Sequence, residues 1–340
     1  MSARLPIEIV GGGLAGLALG LSLRRAGAPV TVFESGDYPR HRVCGEFISG
    51  LAEGTVASLG LRDVLAGALP HRVATYYLRG RPLRPVRLPS PALGISRHTL
   101  DARLAEAFVA SGGNLRARTR ADPSASPAGR VFAAGKRRGG PAWVGLKVHL
   151  RNLDLAGDLE IHMGERCYLG LSRVESGAAN ACGIFAPQDH SERGLGLLLA
   201  YLRTAGLGAL AERVRGADPD PGSFCATAAP LGDRRVAPSD RVRIGDACAT
   251  IAPFTGNGLA MALQGAELAA GPLLAYSSGA SSWDAAARAI ASAQRARFSR
   301  RLLAASLIHP FLLERRLQAC LAALVNSGAV PFGALHAMLR

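Results

Sequence analysis

Lysine is nearly missing: Lys136 and Lys147 are the two in 340 residues, so arginine carries almost all the positive charge behind a net +15. Aromatic side chains are scarce as well, at 5%. Nucleic-acid surfaces cluster their cations and often interleave aromatic platforms. Here the arginines are scattered and no helix-turn-helix or zinc-finger spacing accompanies them, so no nucleic-acid partner is expected. Closely spaced cysteines are lacking too. Cys44, Cys167, Cys182, Cys225, Cys248 and Cys320 stand far apart, without the C-x-x-C spacing of a zinc site or a redox dithiol; no metal is expected, and the thiols read as reduced. No apolar run reaches the ~18 residues of a membrane-spanning helix. The apolar stretch from Ile9 to Leu23 has glycines at nucleotide-binding spacing and no cleavage site after it, so it does not read as a signal peptide. A cytoplasmic protein is expected, with contact to the inner face of the membrane as a variant.

What the chain has is apolar mass: at 49% hydrophobic it can bury a large core, as one domain or two interleaved ones. Residues 5–35 alternate as strand (Pro6–Val10), glycine turn, helix (Leu17–Ala26) and strand (Pro29–Phe33), a βαβ unit. From Arg72 to Leu88 β-branched and aromatic stretches with prolines predict a small antiparallel sheet. Leu100–Ser111 has a helical period, and Val131–Ala134 reads as a buried strand returning to the first domain. Strand-like segments at 143–150, 159–163, 167–171 and 178–185 predict a second sheet. Arg241–Ile244 adds a strand, Gly256–Ala270 a helix, and the tail from Trp283 is helical and apolar with embedded arginines.

Gly11, Gly13 and Gly16, with Leu14 and Ala15 between them, form G-x-G-x-x-G at the junction of a strand and a helix. Such a turn brings backbone N–H groups and the positive helix end to a pyrophosphate. Glu34, about twenty residues on at the end of the second strand, has the position and charge to accept hydrogen bonds from a ribose. One fingerprint means one resident dinucleotide, and the fingerprint alone leaves FAD and NAD both open. Later, Gly245-Asp246 ends a strand, and Pro253 to Gly258, with Gly256 and Asn257, opens a helix whose N-terminus suits the N1/O2 edge of an anionic reduced isoalloxazine.

Together with Pro39 to Glu46 and the Arg97-x-x-Leu-Asp101 segment, these motifs resemble the geranylgeranyl reductase family, within the flavoprotein group that includes p-hydroxybenzoate hydroxylase. The resemblance covers residues 5–275. It implies an α/β chain, α+β overall: a Rossmann-like FAD-binding domain (1–70, 96–135 and 236–275) interleaved with an antiparallel-sheet substrate domain (71–95 and 136–235), then a helical segment (276–340). It implies FAD held by Gly11, Gly13 and Gly16 at the pyrophosphate, Glu34 at the ribose, Arg97 at the outer part, Asp246 at the flavin-side linker and Pro253–Gly258 along the ring. Arg40, Cys44 and Gly45 join the set, Cys44 as the candidate catalytic group on the flavin face; its thiol is lowered only if Arg40 and Arg42 come close, and it is equally a packing residue. NAD(P)H or another donor would act transiently. Two departures stand out: Tyr168-Leu-Gly-Leu-Ser172 replaces the family's Y-x-W-x-F-P segment, and Ala133–Arg137 lacks the acid of the hydroxylases' G-A-D-G.

The expected reaction is hydride transfer from reduced FAD to a carbon–carbon double bond of an apolar, isoprenoid- or polyketide-like substrate. The alternative is a monooxygenase hydroxylating a lipophilic or aromatic substrate through a flavin C4a-hydroperoxide; a third is a non-catalytic flavin-binding protein. His149, His162 and His190 are acid–base candidates of position only. Arg295–Arg301, followed by Leu302–Leu313, reads as a membrane-surface helix, a lid, or, most commonly, a helix packed on the core.

Overall fold

The computed structural model describes residues 4–122, 124–135, 143–229, 231–236 and 238–330, with 333 and 338; Lys136 and Arg137 of the replaced acidic segment lie outside these. The chain begins as its pattern predicts, with β1 (Ile7–Val10), α1 (Leu14–Arg25) and β2 (Val30–Phe33). Leu14, Leu17, Leu21 and the small residues between them are buried. A helix apolar on nearly every side must be covered on nearly every side, and Arg24 and Arg25 in its last turn suit the negative helix end. β3 (Phe47–Ile48), α2 (Glu53–Leu59), β4 (Leu69–Leu78), β5 (Arg81–Pro82) and β6 (Val86–Gly94) follow. Ser96, accepting a hydrogen bond from the Thr99 N–H at 3.1 Å, then starts α3 (Arg97–Ala110).

β7 (Asn114–Arg116) and β8 (Arg130–Phe132) complete the first pass. β9 (Trp143–Arg151), β10 (Leu159–Gly164), β11 (Cys167–Arg173), β12 (Ala179–Phe185), α4 (Leu195–Thr204), α5 (Gly208–Arg215) and β13 (Asp218–Ala229) form the second. β14 (Val242–Arg243), α6 (Gly258–Ser277), α7 (Trp283–Ile308), α8 (Pro310–Leu313) and α9 (Arg315–Ser327) end the described chain.

Two sheets result, and the fold is mixed α/β. The first has five strands in the order β14-β8-β1-β2-β7, all parallel. The direction of strand succession reverses beside β1, which is where such sheets open a ligand crevice at their carboxyl ends. The second has nine strands, β13-β9-β12-β11-β10-β4-β6-β3 with β5 on β4. The predicted small sheet at 72–88 is not separate. β4 pairs in parallel with β10 and joins both antiparallel groups, so that neither group leaves an unpaired edge there.

β3 also departs from the expected division, since Phe47 and Ile48 pair with Leu93 and Gly94 of the second sheet. The segment before it, Cys44–Glu46, therefore crosses from one sheet to the other. Gly258–Ser277 is long and apolar enough by length and composition to span a membrane, unlike the expectation that no stretch is; Gln264 and Glu267 interrupt the run. Its apolar character has a packing reason, because Leu259–Ala266, Ala269 and Leu273 are buried, mostly against α1 and α7. In α7, Phe298 and Arg301 are buried and Arg301 donates to Gln264 Oε1 at 2.7 Å. The Arg295–Arg301 segment thus packs on the core.

Candidate functional site

At the carboxyl end of β1 the glycines serve different ends. Gly11 has φ +111°, and a Cβ there would overlap the Ala133 carbonyl at the end of β8; one on Gly16 would overlap the Gly11 carbonyl. These two let the turn close. Gly13 differs: an added Cβ would meet nothing within 4 Å, although its φ of −83° admits any residue. Gly13 is the N-cap of α1, no side chain caps that helix, its first turn has no acid, and Leu14 and Ala15 begin it. Open space before uncapped N–H groups is what a pyrophosphate requires.

Glu34, 5% exposed, accepts from the Gly12 N–H at 3.0 Å through Oε2 and from the Gly36 N–H at 2.9 Å through Oε1. Burial acts to raise its pKa, but the Gly36 amide and Arg40 prevail and hold it below the ordinary value. Arg40 pairs with Glu34 at 2.8 Å, and its buried Nε has no partner among the described residues. Oε1 is filled by Gly36, Ser35 and Arg40, whereas Oε2, with the Gly12 N–H at hydrogen-bond distance, keeps lone-pair capacity for a ribose hydroxyl. Tyr38, which the motif reading missed, donates its hydroxyl proton to the Gly12 carbonyl; its only signal is an aromatic four residues after the acid.

The second fingerprint meets the first. Gly245 has φ +58°, and a Cβ on it would stand 2.8 Å from that of Ala15, so the 3-10 turn Gly245–Ala247 brings Asp246 against the start of α1. Pro253–Thr255 forms another such turn, and Gly256, at φ +63°, approaches the Phe47 ring too closely for a side chain. Asn257, 2% exposed, is the N-cap of α6, which Gly258 begins. Its Nδ2 donates to the Thr255 carbonyl at 3.1 Å while its buried Oδ1 has no partner among the described residues. An open cradle at Gly13 and an orphaned acceptor at Asn257, both beside one crevice, fit the expected FAD.

Between these segments and the large sheet lies an open-mouthed cavity of about 100 Å³. Cys44, Gly45, Phe47, Pro253 and Phe254 form one wall; Ile161, Tyr168, Gly170, Ser172, Cys182 and Ile184 belong to the facing sheet. The pairing register puts Gly145, Lys147 and His149 of β9 on that same face, through Ile184, Cys182 and Asn180 of β12. The alternate residues Leu146, Val148 and Leu150 pack under α4 and α5.

Cys44 lines the cavity, its thiol open from the sequence to a reactive or a packing role. Burial pushes the thiol up, and the cation opposing this is Arg97, not Arg40 or Arg42. It is a protonated thiol at neutral pH. Arg97, expected at the outer part of the cofactor, has Nε and Nη2 on Asp101 at 2.8 and 2.7 Å. Burial disfavours its charge, yet fully buried Asp101 raises its pKa. Gly45 is held from the sheet, its carbonyl accepting from Ser172 Oγ at 2.8 Å, as the Cys44 carbonyl does from Asn180 at 3.0 Å.

Glu46, next in line, is fully buried and has φ +55°. Its carboxylate meets His149 Nε2 at 2.5 Å and Lys147 Nζ at 3.4 Å, and it accepts from the Arg97 N–H at 3.0 Å. Lys147 in turn donates to His41 Nδ1 at 2.9 Å. Burial first, then Lys147 and the neighbouring histidines, lowers His41 to about 4. His41, Glu46 and His149 are close enough to ligate a metal, but the Lys147 ammonium already stands among them as a cation. His162 and His190 lie elsewhere: His162 pairs with Glu160 at 2.8 Å beside Arg213, and His190 stands against Tyr201.

The sequence matches the model of an NAD(P)-binding Rossmann-like domain over residues 9–58. Comparison with curated proteins returns no match. Among solved structures the fold is similar to p-nitrophenol 4-monooxygenase PnpA from Pseudomonas putida DLL-E4, with 15% identity over 100% of this chain and 97% of that one and a TM-score of 0.77. It is similar to Klebsiella pneumoniae HpxO complexed with FAD and uric acid, at 16% identity, 98% and 96% coverage and a TM-score of 0.77. PqsL, a probable FAD-dependent monooxygenase from Pseudomonas aeruginosa, is similar at 16% identity, 94% and 99% coverage and a TM-score of 0.70.

Proposed function

We propose that this chain is an FAD-dependent monooxygenase acting on an apolar substrate. The observation that carries the reading is the juxtaposition of a dinucleotide crevice with a largely apolar cavity between Cys44–Gly45, Phe254 and the large sheet. Whole-length likeness to PnpA, HpxO and PqsL, with FAD in the HpxO complex, supports it. Gly11, Gly13 and Gly16 would hold the pyrophosphate, Glu34 with Arg40 the ribose, Asp246 the linker, and Pro253–Gly258 the ring. Bound FAD would supply the redox chemistry and, once reduced by NAD(P)H or another transient donor, the activation of oxygen.

The protein's own part is placement and exclusion of water. Ile161, Tyr168 and Ile184 would seat the substrate; Cys44, as a neutral thiol, would be wall rather than nucleophile. Hydride transfer to a carbon–carbon double bond is the second reading, favoured by the Cys44-Gly45-Glu46 segment and by the missing acid at Ala133–Gly135. Turnover under labelled oxygen separates them. Label in the product supports oxygenation, whereas product two hydrogens heavier, formed anaerobically by prereduced protein, overturns it in favour of reduction.

A further inference from the structure

The middle of the large sheet opens to the cavity at one point. Every residue of β11 from Cys167 to Ser172 is buried except Gly170, and every residue of β12 is buried except Cys182; these two are cross-strand partners, and both line the cavity. On its other side Gly170 pairs with Ile161 of β10, and Tyr168 and Ser172 stand two residues before and after it on the same face. These three neighbours line the cavity as well. The frame around Gly170 is held in place. Tyr168 is buried, with the His309 ring from the joint of α7 and α8 edge to face with it at 5.9 Å, and Ser172 Oγ is engaged by the Gly45 carbonyl.

Nothing in the surrounding chain requires a glycine at this point. A Cβ added to Gly94, Gly145, Gly164 or Gly183, in strands of the same sheet, would stand 3.0 Å or less from another atom. A Cβ on Gly170 would come no nearer than 3.7 Å to the Cys182 carbonyl oxygen and 3.9 Å to that of Glu160, both ordinary contacts, and would meet no side chain within 4 Å. Its φ is not in the left-handed region either. Glycine inside a strand weakens it, because the unfolded chain has more freedom to lose and no side chain packs. The fold would therefore be at least as stable with alanine there. The missing side chain leaves a notch one residue deep in the sheet, facing the wall of Cys44, Gly45 and Phe254.

We propose that Gly170 is the position that sets substrate size: a slim apolar group of the substrate enters the notch between Tyr168 and Ser172 and rests on the β11 backbone. Ile161 and Cys182 flank that group, and the Ser172 hydroxyl proton is already given to Gly45, so the notch takes an alkyl substituent or the edge of a ring. This rests on the reading of the cavity as the substrate chamber of a flavin enzyme. Any side chain at position 170 would narrow the range of substrates without touching the cofactor crevice.

The test makes two measurements on the FAD-loaded full chain in wild type, Gly170→Ala, Gly170→Val and Gly170→Leu. The first is the rate at which N-ethylmaleimide alkylates Cys182, resolved by peptide mass, with exposed Cys320 as the internal reference. Cys182 should react in wild type and slow progressively with the size of residue 170, while Cys320 does not change. The second is calorimetric affinity for 2-naphthol, which should fall in the same order, by about tenfold or more at leucine. The urea midpoint and FAD uptake of Gly170→Ala should equal or exceed those of wild type. Cys182 that is unreactive in wild type, or equally reactive in all four proteins, overturns the notch. So does equal 2-naphthol affinity, or none, across the series. Loss of stability in Gly170→Ala would mean that the chain itself uses the space, and overturns it too. Failure of the flavin reading shows separately, as a chain that takes up no FAD; the Cys182 rates on the protein as isolated then still decide whether the notch is open.

Discussion

At the carboxyl ends of the five-stranded sheet the candidate site depends on atoms that are absent. Gly11 and Gly16 have no room for a Cβ, while Gly13 has room that nothing among the described residues fills. Across the cavity the nine-stranded sheet works in the opposite way, through the side chains of Lys147, His149, Ser172 and Asn180 gripping a single crossing segment. The first arrangement is written in backbone geometry: bulk added at Gly11 or Gly16 meets the chain itself, and bulk added at Gly13 meets the space a ligand would take. The second is written in charge and hydrogen bonding, where removing one partner strands another. The two regions should therefore fail differently.

The largest effects are expected in the glycine crevice. Gly16→Val should destabilise the fold by on the order of 3 kcal/mol or more, because the overlap is with backbone that cannot move aside. Gly13→Val should keep stability within about 1 kcal/mol of wild type and yet weaken FAD binding by about 100-fold or more. Urea unfolding paired with FAD titration checks both. Gly13→Val protein that retains its flavin would remove the distinction drawn between the two glycines.

Next comes the charge cluster. Lys147→Met leaves the Glu46 carboxylate buried without its ammonium and should cost about 3 kcal/mol, whereas adding Glu46→Gln to the same protein should restore part of it. Additive losses in the double variant would mean that the two residues do not act as a pair. His309 gives a smaller, pH-dependent effect. Its folded pKa of about 4 lies below the unfolded 6.5, so the unfolded chain takes the proton first and stability falls as pH drops from 6.5 toward 4. His309→Leu should flatten the stability profile between pH 7 and pH 5 by about 2 kcal/mol relative to wild type. The smallest effect is expected at Cys44: Cys44→Ser should keep FAD and shift turnover by less than about tenfold, with no thiol step in the pH profile up to pH 8.

The same contrast explains what was legible in the sequence. A glycine needed for a turn leaves the same mark in any chain, so the fingerprint, Glu34, and the helix start at Gly258 could be read directly, along with both sheets' main strands. Lys147 and His149 sit two residues apart on a strand, and nothing in that spacing says that Glu46, about a hundred residues earlier, will be their partner. The Arg97-x-x-Leu-Asp101 motif marks Arg97, but its spacing does not say that the guanidinium will bond Asp101 four residues on. The parallel pairing of β4 with β10 depends on long-range register, which periodicity does not encode. Tyr168 and His309 lie far apart in sequence and meet only because α8 folds over the face of β10 and β11.

The most direct test of the account is the identity of what the chain carries. The protein should be purified without added cofactor, denatured, and the released chromophore identified by chromatography, with any apoprotein titrated with FAD. The account predicts non-covalent FAD at about one per chain, or tight uptake of FAD by the apoprotein, with no exchange for FMN or NAD. A colourless protein that cannot be loaded with FAD, or one that releases FMN or NAD instead, would contradict it.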